Sequence, residues 1–264
     1  MKDCEILQEN LNAVSRWCRL NRLSINVSKC CIVTYSRKLN TLAYPYKIDN
    51  IDLKREFTVK DLGVLFHCNF TFNNHIIETV QKSLKTYGFI YRNCKDFSNF
   101  ATLNVLYTSL IRSRLEYAAL IWYPIYITHI DLLESVQRKF LKYLSFLLDG
   151  TYPPRGFDHS SLLNRFSFNS LHTRRIFLVL KFLSNLLNGR IDCSCLLHHI
   201  NFVVPRFSSR QSLTFYTSFN KSNALSRSPI FLMCDRFNAV STNCDIHFST
   251  HKDLFGCIVE KFGV

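Results

Sequence analysis

The sequence predicts an α+β fold that is mainly helical, with a small β section followed by a helical bundle. Between Cys30 and Phe66, short runs of β-branched and aromatic residues alternate with turn residues. From Thr71 to about Asn188 the apolar residues recur with the helical period instead. The chain has 264 residues, of which 47% are hydrophobic and 20% charged, which suits one large or two small globular domains.

The β section is preceded by a helix and built from short strands. Asp3 can cap a helix that presents Leu7, Leu11, Val14 and Cys18 on one face and packs on a sheet. A core strand is expected over residues 30–36. Two further strands, 44–48 and 51–57, would meet across the turn residues Asp49 and Asn50, and residues 62–66 would add another strand to one small sheet.

The helical section is expected to contain several long helices. Asn73 or Asn74 can cap the first, and the second runs from Leu103 to Ile121 and ends before Pro124. A third spans Leu133–Leu147, before a loop rich in proline and glycine. The segment 171–187 is apolar nearly all round and is followed by Gly189, so it predicts the buried helix of the bundle, and a terminal helix is expected near 252–262.

The net charge of +14, with a pI near 9.4, indicates a polyanionic partner, nucleic acid before a membrane surface. A soluble basic protein without such a partner is the alternative. The eleven cysteines are odd in number, and the start of the chain does not resemble a signal peptide, so reduced thiols and an intracellular location in nucleus or cytoplasm are expected. The longest apolar stretches are too short to cross a bilayer, so no membrane partner is expected, and the oligomeric state stays open.

A series of short motifs in fixed order runs along the chain. It begins with Asn21, Leu23, Ile25, Asn26, Lys29 and Cys30, and continues with Lys60, Asp61, Leu62, Gly63 and Val64. It goes on through Leu106, Tyr107, Ser109–Ser113, Leu115–Tyr117, Ile121, Trp122 and Pro124, then Val136, Gln137 and Lys139–Leu141. Its last members are Leu171, Arg174, Arg175, Leu187–Gly189, Ile191, Asp192, Val204 and Pro205. In order and spacing, the chain up to Pro205 resembles the reverse transcriptases of non-LTR (LINE-type, jockey-like) retrotransposons, from polymerase motif D onward.

The resemblance implies a division of the chain into four parts. Residues 1–70 would be a remnant of the polymerase palm, carrying the motif D strand and a hairpin like the primer grip. Residues 71–148 would be a thumb-like helical region, 149–204 further helices, and 205–264 a divergent tail. In the tail, arginines and aromatic residues alternate, a pattern that fits either stacking on single-stranded bases or loops over a core.

The resemblance also assigns roles to individual residues. Lys29 corresponds to the motif D lysine, a proposed general acid toward pyrophosphate, and a plain surface lysine is the alternative. Asp61, Leu62, Gly63 and Val64 correspond to the primer grip, although Gly63 could serve packing or a bulge instead. Six cations on helices are candidate contacts to RNA or an RNA–DNA hybrid, or else solvated helix residues: Arg112, Arg114, Arg138, Lys139, Arg174 and Arg175.

The family's metal-binding aspartates have no counterpart in this chain. Nucleotidyl transfer by two metals needs carboxylates that hold both ions close together, and the sequence contains no Asp-Asp pair. No catalytic residue or cofactor is therefore expected, and Mg²⁺ would belong only to an intact parent polymerase. Two Cys/His groups have poor spacing for zinc, so no metal is expected at Cys193, Cys195 and His198 or at Cys244, His247, His251 and Cys257.

Three functional hypotheses follow from these observations. The first is a non-catalytic, nucleic-acid-binding piece of a reverse transcriptase. The second is a helical protein-interaction module whose basic face contacts an acidic partner. The third is a decayed reading frame without a selected role.

Overall fold

The computed structural model describes residues 2–38, 41–94, 97, 99–154, 156–204, 213–217, 228–241, 244–245 and 250–262. It divides the chain into two compact units, residues 1–75 and 76–264. The division lies close to the boundary predicted at residue 70, while the finer divisions within the helical part stay predictions. The fold is mainly helical with a few short strands, so the predicted fold class is confirmed.

In its described residues, 2–38 and 41–75, the first unit has one long helix, a 3-10 turn and six short strands. The elements are α1 (Lys2–Leu20), the turn Val27–Lys29, β1 (Cys31–Ile32), β2 (Lys47–Ile48), β3 (Ile51–Asp52), β4 (Lys54–Arg55), β5 (Thr58–Asp61) and β6 (Val64–His67).

The strands pair locally instead of forming the single small sheet that was predicted. β2 and β3 form an antiparallel hairpin, β5 and β6 form another, and β1 pairs in parallel with β4. Asp49 and Asn50 lie at the first hairpin turn with φ values of 49° and 64°, as their turn chemistry predicts. The strand predicted over residues 30–36 is only Cys31–Ile32, because its partner β4 is itself two residues long.

Helix α1 contacts the first hairpin through polar side chains. The Gln8 amide donates to the Lys47 carbonyl and accepts from the Lys47 N–H, both at 2.9 Å, and the Ser15 hydroxyl donates to Asp49 at 2.6 Å. The helix itself is confirmed, and of its predicted apolar face Leu11 and Cys18 are half-buried while Leu7 and Val14 are exposed. Leu7 and Val14 are about half exposed, at 47% and 54%.

The second unit is helical. Its elements are α2 (Asn73–Asn93, which begins three residues before the unit), α3 (Phe100–Leu106), a π-helical segment (Tyr107–Arg112), α4 (Ser113–Glu116), α5 (Ile127–Asp149), α6 (His159–Arg165), α7 (Leu171–Leu187), α8 (Ser194–Leu197), α9 (Pro229–Val240) and α10 (His251–Phe262).

The π-helical segment keeps a straight apolar stripe on the helix that contains it. Leu103, Tyr107, Ile111 and Leu115 recur every fourth residue, and each is at most 1% exposed. In a regular α-helix this spacing advances by about 40° per step, so the stripe would wind away from the core. The wider π turn compensates for that drift.

The helix predicted to continue to Ile121 ends at Glu116. Ala118 has a left-handed φ of 51°, which turns the chain back. The turn lets Trp122 become fully buried, and its indole N–H donates to the Tyr117 carbonyl at 2.8 Å. Burial of this large side chain therefore decides where the helix ends.

Helix α7 is the buried helix of the bundle, with the bounds that the sequence predicts. It packs with α9 and α10 around a core that includes Val179, Leu183, Phe237 and Ile258. The π-helical segment packs on α5: Tyr107 stacks on Phe140 at 4.3 Å between ring centroids, and its hydroxyl donates to the Gln137 side chain at 2.8 Å.

Candidate nucleic-acid interface

Lys29 and the β5–β6 hairpin are the candidate site residues of the first unit. Lys29 is exposed at the end of the 3-10 turn. Leu62 and Gly63 form the hairpin turn with φ values of 43° and 85°, which is the left-handed geometry that a two-residue turn of this kind requires. The turn conformation by itself accounts for Gly63, and the primer-grip role stays a prediction. Asp61 is exposed at the hairpin tip, while Val64 is 2% exposed.

Arg174 pairs with Glu116 in the second unit, and Arg112 lies near both charges. The Arg174 guanidinium donates to both oxygens of Glu116, with Nη2 at 3.0 Å from Oε2, and this pairing raises the pKa of Arg174. Arg112 lies beside them; burial lowers the pKa of its guanidinium, the neighbouring Arg174 charge lowers it further, and Glu116 opposes both effects. Two cations against one carboxylate leave a net positive charge at this place.

Arg114 connects α4 to α2. Its Nη1 donates to the Lys82 carbonyl at 3.0 Å and to the Thr86 hydroxyl at 2.9 Å, while its side chain stays exposed. These contacts hold the guanidinium beside the middle of α2.

Lys139 and Arg138 lie next to each other on α5 but have different surroundings. Lys139 is exposed, and its carbonyl accepts from the Tyr87 hydroxyl of α2 at 3.3 Å. Arg138 is half-buried, and its Nη2 donates to the Asp131 carbonyl at 3.0 Å. Burial lowers the pKa of His159 on α6, and the Arg138 charge lowers it further.

Arg175 does not belong to a binding surface, which corrects the prediction. Its side chain is 0% exposed, and its Nη2 lies 3.8 Å from Glu134 Oε1. Among the described residues, none of its three guanidinium nitrogens has a hydrogen-bond partner. The reason is the helix that carries it: α7 is surrounded by packing on nearly every side, so the residue after Arg174 points into the core.

Glu134 has a second contact that explains its place. Its Oε1 accepts from the His172 backbone N–H at 2.7 Å, so the carboxylate lies at the N-terminus of α7, where a negative charge is favourable. Burial nevertheless raises the pKa of Glu134, and the Arg175 charge opposes that effect. Arg175 and Glu134 therefore form a buried ion pair that joins α7 to α5.

The sequence interpretation missed a stripe of exposed residues on α2. Lys82, Lys85, Phe89 and Arg92 are all exposed, and their spacing of three, four and three places them within about 80° of one another on the helix. The opposite face packs inward: the ring centroids of Tyr91 and Tyr143 of α5 lie 5.0 Å apart. The signal was present in the sequence as three cations at helical spacing beside the apolar face that was identified. We call these four residues the α2 stripe.

The two predicted Cys/His groups differ in how the structure arranges them. Cys193 is half-buried and Cys195 and His198 are exposed, whereas Cys244 is buried and its thiol influences that of the half-buried Cys257. Burial is the main cause that raises the pKa of Cys257. His251 is half-buried, and His247 lies outside the described residues, as does part of the tail. Within the described part of the chain, no three Cys, His, Asp or Glu side chains gather as metal ligands.

Comparison of the chain with protein-family models, with curated proteins and with solved structures finds no match in any of the three. Among the residues that the structure describes, no helix combines the length and the apolar character needed to span a bilayer.

Proposed function

We propose that the second unit binds RNA or an RNA–DNA hybrid through its phosphates, as a non-catalytic relative of the non-LTR reverse transcriptases. The observation that supports this most directly is the α2 stripe, in which Lys85 and Arg92 are exposed on one face beside Lys82, whose ammonium pairs with Glu78. Arg114 is held beside the same helix by its bonds to Lys82 and Thr86. A row of exposed cations on a chain with net charge +14 favours a polyanion.

The other candidate cations differ in how accessible they are to a phosphate. Lys139 is exposed and close to Tyr87 of α2, so its ammonium is available to a phosphate. Arg112 and Arg174 carry two positive charges against the single negative charge of Glu116, so one positive charge is left for a phosphate. Contacts of this kind go to phosphate and sugar, so they give affinity with little sequence preference.

The expected result is salt-dependent binding that weakens when stripe charges are removed. If about four to six phosphates are neutralised, log affinity should fall against log salt with a slope near −3 to −5. The double variant Lys85→Ala/Arg92→Ala should lower affinity for every sequence and flatten the slope by about two. Fluorescence anisotropy with a labelled RNA and a labelled hybrid, at four salt concentrations, measures both quantities.

The matched control is Lys252→Ala/Lys261→Ala, which removes two exposed charges from α10 in the same unit. It should change the slope far less than the stripe variant does. Equal effects of the two variants would reduce the proposal to non-specific attraction by net charge, and a flat salt dependence would contradict it.

A protein-interaction role has a separate observation in its favour, and it concerns the first unit. Helix α1 exposes large apolar side chains near its end, among them Trp17 at 59% and Leu20 at 78%. Leu23, three residues after the helix, is 54% exposed. Several large apolar side chains exposed close together in sequence are typical of a contact with another macromolecule. The second candidate function is therefore a protein-interaction module, and it places the contact on α1.

A further inference from the structure

The α2 stripe contains one residue that phosphate binding does not use. Phe89 is 57% exposed and lies between Lys85 and Arg92 on the same face of the helix. Exposing a phenyl ring is unfavourable, because its apolar surface stays in water. The inner face of α2 is already filled by Tyr87 and Tyr91, which pack on Tyr143.

Two cations flank Phe89 along the exposed face of α2, Lys85 before it and Arg92 after it. Gly88 precedes it, and a Cβ at Gly88 would lie 3.3 Å from the Arg92 Nη1 atom. The Arg92 guanidinium therefore folds back along the helix into the space that glycine leaves. Lys85 lies one turn before Phe89 on the same exposed face of the helix.

From this arrangement we infer that the α2 stripe takes an unpaired nucleotide, whose base stacks on Phe89 while its flanking phosphates meet Lys85 and Arg92. Every base has a π face, and aromatic rings interleaved with cations bind single strands with little sequence preference. A base inside a duplex already has both faces covered by its neighbours, so only an unpaired one offers a face to the ring. The inference rests on the proposed function and narrows the ligand to single-stranded RNA or to the unpaired end of a hybrid.

The test compares two ligands of equal phosphate number, a single-stranded RNA and a blunt-ended hairpin duplex, in anisotropy titrations at one salt concentration. Phe89→Leu keeps an apolar side chain on the helix and removes the ring. It should weaken single-strand binding by about fivefold or more and leave duplex binding within about twofold. Phe89→Trp should restore or strengthen single-strand binding, since the larger ring stacks at least as well.

An RNA of the same length with abasic sites separates stacking from charge. Wild type and Phe89→Leu should bind it equally, whereas Lys85→Ala/Arg92→Ala should still weaken it. Phe157→Leu is the matched control, because it removes another exposed phenyl ring of the same unit, at 42% exposure, and it should change nothing. Circular dichroism confirms that each variant is folded.

The outcomes distinguish the two proposals. Equal effects of Phe89→Leu on single strand, duplex and abasic RNA, or no effect at all, would overturn the stacking inference and leave phosphate binding standing. Absence of binding to any nucleic acid would overturn both.

Discussion

Replacing Arg175 by alanine should destabilise the second unit by about 3–5 kcal/mol. The substitution leaves the Glu134 carboxylate buried without its countercharge, and it opens a cavity where one of the largest fully buried side chains lies. A loss of this size is a large part of the 5–15 kcal/mol that typically separates folded from unfolded domains. The expected shift of the melting temperature is roughly 10 °C.

A single-tryptophan background, a double substitution and a control variant test this prediction. The chain has two tryptophans, Trp17 in the first unit and Trp122 in the second, so a Trp17→Phe background reports on the second unit alone. In that background, Arg175→Met combined with Glu134→Leu should be far more stable than Arg175→Ala, because neither charge is left unpaired. Arg138→Ala serves as the control, since that side chain is only half-buried and makes one bond to a backbone carbonyl. A loss below about 1 kcal/mol for Arg175→Ala would contradict the assignment of a buried ion pair.

Lowering the pH from 7 to 5 should destabilise the second unit through His159 and His172. Burial lowers the pKa of each imidazole from its ordinary value to about 4, helped by the charges of Arg138 for His159 and of Arg175 and Arg236 for His172. The folded state therefore keeps both rings neutral at a pH where the unfolded chain has protonated them. Stability is present above about pH 6.5 and is lost as the pH falls from there toward 4.

The expected loss is on the order of 1–2 kcal/mol for the two histidines together, discounted because both rings are partly exposed. Urea titrations at pH 7, 6 and 5, followed by Trp122 fluorescence in the Trp17→Phe background, measure it. His159→Gln with His172→Gln should remove most of the slope. His251, whose pKa is also lowered by burial, contributes in the same direction. Glu134 acts in the opposite direction, because its raised pKa makes its protonation favour the folded state. The contribution of the histidines is therefore taken from the difference between wild type and the His159→Gln/His172→Gln variant.

How much the sequence predicts depends on whether a signal is local. Helix α7 follows from its own residues: Ser170 caps it by accepting from the Thr173 N–H at 3.0 Å, and Gly189 follows its end with a φ of 67°. The turn at Asp49 and Asn50 follows from turn chemistry in the same way. Helix α9 was not predicted, although Ser228 and Pro229 are a strong start signal and the Ser228 hydroxyl does accept from the Phe231 N–H.

The remaining features depend on contacts between residues far apart in the chain. Arg174 and Arg175 are identical in type, and only the neighbours of α7 decide that the first reaches Glu116 of α4 and the second Glu134 of α5. The pairing of β1 with β4, rather than with a larger sheet, is likewise a non-local choice between segments of two residues. Phe89 was missed for the opposite reason: an exposed ring contributes nothing to the apolar periodicity from which helices are identified.

The π-helical segment Tyr107–Arg112 can also be regarded as an α-helix into which one residue has been inserted. In a regular α-helix an inserted residue would rotate everything after it by about 100°, and the wider π turn takes up part of that rotation. Arg112 and Arg114 lie at and just beyond this point, so the insertion sets the direction in which both guanidinium groups project. Their positions beside Glu116 and beside α2 are thus a matter of chain length as much as of residue type. A single deletion within the segment would redirect both arginines without replacing either of them.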